Sequence, residues 1–239
     1  VIERRLTEQT DAGRHGRILA VYTAIVLTSM AVGQYLLGLA ETNPLYPFIL
    51  VSLLVGCAIV PVSLTRSLAP VPVPATRFSF SKLYRRSHTA FAGGLGSGVI
   101  TGSFWALGAI YVLAQTNDPS FVPAFIAANI IGGALAQYPI GMASDRIDRR
   151  FVLSALCAAS GLSAFGLLYA ETQQELLLGA FAFGAAANSL YAISLAKAAD
   201  NSKRDEFVTL GSSVLLLCAL GSAGGSLIIG WAMRLMGNE

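Results

Sequence analysis

Gly132-Gly-Ala-Leu-Ala-Gln-Tyr-Pro-Ile-Gly141-Met-Ala-Ser-Asp145-Arg146-Ile-Asp148-Arg149-Arg150 is the stretch whose reading decides the fold. Its first half continues an uncharged run that begins at Phe121, its second half is dense in charge, and a second uncharged run opens at Phe151. About 20 apolar residues are what a helix needs to cross a hydrocarbon core roughly 30 Å thick. The stretch therefore reads as the end of one membrane span, a short charged turn held in water, and the start of the next.

Working outward, the same alternation fills the chain. Of 239 residues, 54% are hydrophobic and only 12% charged, and the mean hydropathy is +0.64. A soluble domain carries about 25% charge, so a water-soluble fold could not cover this apolar surface. Seven spans can be read, at 18–40, 46–64, 89–113, 121–142, 151–170, 176–196 and 208–233. They must be helices, because a backbone in lipid has to satisfy its own hydrogen bonds and no alternating barrel-strand pattern is present. The expected fold class is an all-α, polytopic transmembrane helix bundle. Thr172 with Glu175 has capping-box spacing, and Ser202 with Asp205 offers a similar cap before the last span. Short polar turns at 41–44 and 115–119 separate neighbouring helices.

Orientation follows from the basic residues. Fifteen of the sixteen fall in alternate connections, and only Arg234 lies on the other side. Positive residues stay inside, so those connections are expected to face the cytoplasm and the protein to be a multi-pass component of the cell's inner (plasma) membrane. The longest connection runs from Arg66 to His88 and is proline-rich at Pro70, Pro72 and Pro74, then basic and aromatic from Arg77 to Arg86. It reads as a linker: 1–65 ends one helical bundle, 66–88 connects, and 89–239 forms a second bundle. Phe78, Phe80, Leu83 and Tyr84 interleaved with basic residues suggest that the linker's end rests on anionic lipid, with a plain solvated linker as the other reading. A start at Val1 and an odd number of crossings lead us to expect a piece of a longer protein.

Enzymatic and metal chemistry find little support. Cys57, Cys157 and Cys218 sit singly in different spans and read as packing residues. Neither His15 nor His88 has a partner at metal-ligand spacing, so no metal is expected. The 93–98 run Gly-Gly-Leu-Gly-Ser-Gly opens a span with no strand before it, and Gly94, Gly98 and Gly102 at four-residue steps indicate close helix packing. No nucleophile is paired with a base, and no cofactor or nucleic-acid partner is expected.

The charged turn carries a resemblance. Gly141, Asp145, Arg146, Asp148, Arg149 and Arg150 resemble the signature loop of the major facilitator superfamily, which recurs between the second and third helices of each six-helix half. Here it follows the second span after the linker, so the resemblance implies helices five to eleven of a twelve-helix transporter. The chain is similar more narrowly to the YcaD-like group of that superfamily. The similarity rests on Gly16-Arg17 before a span with Gly33-Gln34, Gly102-Ser-Phe-Trp105, Gly133 with Gln137-Tyr-Pro-Ile-Gly141, the 144–150 turn, and Leu190-Tyr191 before Ala199-Asp200. It departs at Gly224-Gly-Ser226, where the group tends to have a Gly-Pro pair.

The resemblance implies alternating access to a small-molecule substrate around a midplane site, efflux included. Almost nothing ionisable lies within the spans, which favours neutral or amphipathic cargo and leaves proton coupling to Glu3, to helices outside the chain, or to nothing at all. Candidate cavity residues are Ser97, Thr101 and Trp105 on the third span, Asn129 and Gln137 on the fourth, and Asn188 and Tyr191 on the sixth. Each is equally readable as helix-packing glue. The turn from Gly141 to Arg150 is expected to be a conformational latch. Gly141 would allow close approach, Asp145 would meet the positive end of the last span, and the arginines would pair with Asp148, Asp200 or Glu206. A monomer is expected. A seven-helix receptor or a non-transporting membrane scaffold is the other class with the same hydropathy.

Overall fold

The structure is a computed structural model that describes residues 78–200 and 207–235 continuously, together with 43, 45–64 and single residues or short runs between 25 and 36. The first expected span and the Ser202–Asp205 cap thus lie largely or wholly outside the described residues. Among the described residues the helices with defined bounds are, in order, α1 (Tyr46–Leu64), α2 (Phe80–Arg86), α3 (His88–Thr116), α4 (Val122–Arg146), α5 (Arg149–Leu167), α6 (Gln173–Asp200) and α7 (Phe207–Leu235), with a 3₁₀ turn at Pro119–Phe121. The described residues form no strand.

Five of these, α3 to α7, are long and apolar enough to cross a membrane, and the apolar stretch Tyr46–Pro61 of α1 is shorter. Five spans among the described residues therefore stand where the sequence suggested seven over the whole chain. Observed helices α3, α4 and α6 overrun the expected spans by several residues at one or both ends. Their polar ends are held by caps, which hydropathy does not register. Ser87 Oγ accepts the Ala90 N–H at 3.1 Å to start α3, and Asn117 ends it in the left-handed conformation at φ 49°. Thr172 and Glu175 form the expected capping box. The Glu175 N–H donates to Thr172 Oγ1 at 3.2 Å, and Glu175 Oε2 accepts the Thr172 N–H at 3.3 Å and the Glu171 N–H at 2.8 Å. Those donated N–H groups, Glu171 first, hold the Glu175 carboxyl below the usual glutamate range.

The core is built from two seams between helices distant in the chain. On the α3–α7 seam Gly98 lies against the Cys218 carbonyl, and Gly221 against the Leu95 carbonyl, with no room for a Cβ at either. On the α4–α6 seam Gly184 lies against the Asn129 carbonyl and Gly132 against the Phe181 carbonyl, equally tightly. One turn on, Gly102 meets Ser222 in the first seam, and Gly133 meets Asn188 in the second. The spacings on α3 match those on α6 and the spacings on α7 match those on α4, with the chain order of the partners reversed, so one packing motif is used twice. With lipid outside as apolar as the side chains inside, such close backbone approach is what holds membrane helices together. Between the seams Phe104 stacks on Phe125 at 5.7 Å and on Phe183 at 5.3 Å, joining α3, α4 and α6. Helix α5 packs on α6 through Leu153 and Leu156 against Ala186, Leu190 and Ile193.

Helix α1 differs. Its side chains are exposed along nearly all of its described length, apolar on every side, and it makes no extensive contact with the other described helices. Helix α2 is docked on the bundle: Leu83 is fully buried with Ala90, Ala198, Leu210, Val214 and Leu217, and Phe80 packs beside it.

Candidate functional site

The charged turn is built by two caps back to back. Ile147 is extended and its N–H closes α4 on the Ala143 carbonyl, while Asp148 Oδ1 accepts the Arg150 N–H at 3.0 Å and opens α5. Arg149 thereby falls in the first turn of α5 and points back over the end of α4. Its guanidinium donates to Ser144 Oγ at 3.2 Å and pairs with Asp145 at 3.2 Å and with Asp200, at the end of α6, at 2.8 Å. A second link joins the same elements, Lys197 Nζ to Asp148 Oδ1 at 3.3 Å. The Arg150 N–H, and after it Lys197, holds the Asp148 carboxyl below the usual aspartate range. The turn between α4 and α5 is thus cross-linked twice to the end of α6 by ion pairs. Arg149 is mostly covered at 19% side-chain exposure while its partners Asp145 and Asp200 are open at 71% and 44%.

Among the expected contacts of this turn, Arg149 with Asp200 is present. The sequence does not single out Lys197 as a partner, although its position one turn before Asp200 puts both on one face of α6. Asp145 pairs with Arg149, and its expected meeting with the start of the last span, like any pair with Glu206, falls among residues outside those described. Gly141 has no atom near its would-be Cβ, so the close approach expected there is absent among the described residues. Arg146 and Arg150 are exposed.

The candidate cavity residues are not gathered on one surface. Ser97 is buried in the α3–α7 seam, donating to the Gly94 carbonyl at 2.9 Å and facing Cys218 Sγ at 3.7 Å. Thr101 donates to the Ser97 carbonyl at 2.6 Å, and Trp105 is exposed beside Phe104. Four-residue steps on a helix of 3.6 residues per turn drift by about 40° each, so the third residue of such a set has left the face of the first. The same drift separates buried Asn129 from exposed Gln137. Asn129 and Asn188 do meet: Asn188 Nδ2 donates to the Asn129 carbonyl and to Asn129 Oδ1, each at 3.3 Å, across the α4–α6 seam, and the Asn129 amide nitrogen is buried without a partner. Tyr191 lies on another side of α6, half-buried against the Leu83 cluster.

Two hollows in the described bundle are lined by none of these candidates. One is an open cleft of about 630 Å³ between Gln115, Thr116, Tyr169, Glu171 and Gln173, and the other an apolar groove of about 310 Å³ between α4 and α6. No group of His, Cys, Asp and Glu able to hold a metal is present among the described residues.

Comparison with known proteins adds the following. No family model matches the chain. No solved structure matches it. Among curated proteins, it is 26% identical over 224 residues to an uncharacterised MFS-type transporter, YcaD, of Escherichia fergusonii, covering 93% of this chain and 58% of that one. It is 28% identical over 232 residues to an uncharacterised MFS-type transporter of Yersinia enterocolitica, covering 94% and 59%. YcaD of Salmonella arizonae is 25% identical over 224 residues, again 93% of this chain and 58% of the other. The chain spans less than two thirds of the length of the curated relatives it matches. Apolar helices stitched by glycine seams, the charged turn and a similarity that runs almost end to end agree: this chain is similar to the YcaD-like MFS-type transporters.

Proposed function

We propose that the chain is part of a transporter, not an enzyme, that moves a small solute across the inner membrane by alternating access, efflux included. On this reading its spans are helices five to eleven of twelve, 66–88 links the two halves, and the basic connections face the cytoplasm. The observation that carries it is the pair of ion-pair links from the α4–α5 turn to the end of α6. They fasten together the ends of helices that must shift if the cytoplasmic side is to open. We read the turn from Gly141 to Arg150 as the latch of the closed state, with Arg149 at its centre. A partly exposed pair such as Arg149–Asp200 contributes about 0.2 to 1 kcal/mol, enough to bias two states about fivefold at the upper end.

Cargo contacts would come from polar groups on surfaces that face the other half, with Gln137 and Trp105 the exposed candidates and Thr101 and Asn188 partly open. Ser97 and Asn129, enclosed in seams, and Tyr191, against the Leu83 cluster, would act through packing. The test is made in the longer parent protein. Asp145→Asn and Asp200→Asn should each lower transport and shift cysteine accessibility toward an inward-open state, Asp200→Asn by at least as much, with membrane insertion normal. Unchanged transport and accessibility in both refutes the latch.

A further inference from the structure

We infer that α2 is a positioning element for the charged turn: with the ends of α3 and α7 it packs round the last turn of α6 on a side away from the ion pairs, so that undocking of α2 and parting of Arg149 from Asp200 are coupled. The inference deepens the latch reading above and rests on it for its consequence in transport. Three observations carry it.

The first is that the last turn of α6 is gripped twice. Lys197 and Asp200 hold the α4–α5 turn through Asp148 and Arg149, while Ala198, between them in sequence, is buried in one apolar cluster with Leu83 of α2, Ala90 of α3 and Leu210, Val214 and Leu217 of α7. At 3.6 residues per turn Ala198 points about 100° away from Lys197 and about 160° away from Asp200, so the two grips use different faces. The second is that α2 is pinned along its length. At its start the Ser79 N–H donates to Ser213 Oγ of α7 at 2.9 Å, and that buried hydroxyl donates in turn to the Thr209 carbonyl at 2.7 Å. In the middle Leu83 is fully buried, and at the end buried Ser87 closes α2 on the Leu83 carbonyl at 2.8 Å and caps α3. The third is that the neighbouring helix leaves no slack. Helix α3 lies so close to α6 that a side chain at Gly93 would collide with the buried Ser194 hydroxyl, one turn before Ala198. Close-packed contacts of this kind transmit displacement instead of absorbing it. Helix α2 makes no extensive contact with α4 or α5, so whatever it does to the charged turn passes through α3, α6 and α7.

The experiment places the full 239-residue chain in nanodiscs and reads amide hydrogen exchange in three segments. These are 83–90 at the α2–α3 junction, 147–152 at the charged turn, whose N–H groups bond to the Ala143 carbonyl and to Asp148, and 176–184 in the opposite half of α6 as control. Leu83→Ala should speed exchange several-fold at 147–152 as well as at 83–90, because local opening follows the contacts that oppose it. Leu83→Met, which keeps the volume, should leave both at the parent rate. Asp200→Asn should speed exchange at 83–90 in return, since coupling between two contacts is reciprocal. Ser213→Ala, which removes the acceptor of the Ser79 N–H, should move both segments the same way by a smaller factor. A merely structural α2 predicts that Leu83→Ala and Ser213→Ala loosen 83–90 and leave 147–152 at the parent rate. That result overturns the inference, as does unchanged exchange at 83–90 in Asp200→Asn. If Leu83→Ala speeds the control segment too, Ser213→Ala and Asp200→Asn decide by the same criteria. Exchange reads the coupling and the transport assay reads the latch, so the failure of either is seen apart from the other.

Discussion

At the scale of single residues, glycines separate packing from openness. Gly98→Ala and Gly184→Ala would each press a methyl into the backbone of a facing helix. Overpacking of this kind costs about 1 to 3 kcal/mol. Both variants should melt well below the parent chain in detergent, whereas Gly141→Ala, with open space around it, should melt at the same temperature or slightly above. Asn129 and Asn188 give a second measurement. A double-mutant cycle with alanine should return a coupling of about 0.6 kcal/mol, the average for polar contacts between membrane helices, and at most about 1.7. The sequence already marks Gly94, Gly98 and Gly102 as a packing stripe, because small residues at four-residue steps have few other uses in lipid. It does not reveal that Gly141 is open, since a glycine's neighbour depends on how the next helix is rotated. For the same reason Ser97 could be read equally as lining a cavity or as buried in a seam.

At the scale of elements, helix ends are legible and helix faces less so. The Thr172–Glu175 box is a local pattern and forms as written. It also makes the Gln173 end of α6 sensitive to pH. The Glu175 carboxyl is held below its ordinary value of 4.5, so its contribution is fully present above that value and is lost as pH falls through the lower folded value. The difference in thermal stability between the parent chain and Glu175→Gln should therefore be constant from neutral pH down to that ordinary value and shrink as pH falls below it. A difference that stayed constant down to pH 3 would show that the carboxylate bonds carry no stability. In the sequence, α2 reads only as an amphipathic stretch with two possible surroundings. Which of its apolar residues turns to the bundle is a tertiary fact, fixed by the socket that α3, α6 and α7 form around Leu83. Lys197 escaped notice for a similar reason: its partner Asp148 sits on another helix, and only the folded turn brings them together.

At the scale of the whole molecule, the charge partition makes a topological prediction. In a background free of Cys57, Cys157 and Cys218, a cysteine at position 82 should be labelled by an impermeant reagent only from the cytoplasmic side, and cysteines at 118 and 171 only from outside. Labelling of position 82 in intact cells would reverse the orientation. The chain by itself should also show no saturable solute uptake in liposomes, because α1 has no extensive packing among the described residues and the relatives are considerably longer. Hydropathy made the membrane class and the α3–α7 spans readable; it could not say which helices embrace, and that is where the architecture is decided. Ser97 and Cys218, which meet in the α3–α7 seam, are 121 residues apart in the chain, and Asn129 and Asn188 only 59. At roughly 5 to 20 residues per second of synthesis, α3 waits some 6 to 24 s in the bilayer with its glycine face uncovered before α7 is made. The α4–α6 seam can close in half that time. Assembly is therefore expected to run from the α4–α6 seam outward, with α7 completing a contact that α3 was shaped for from the start.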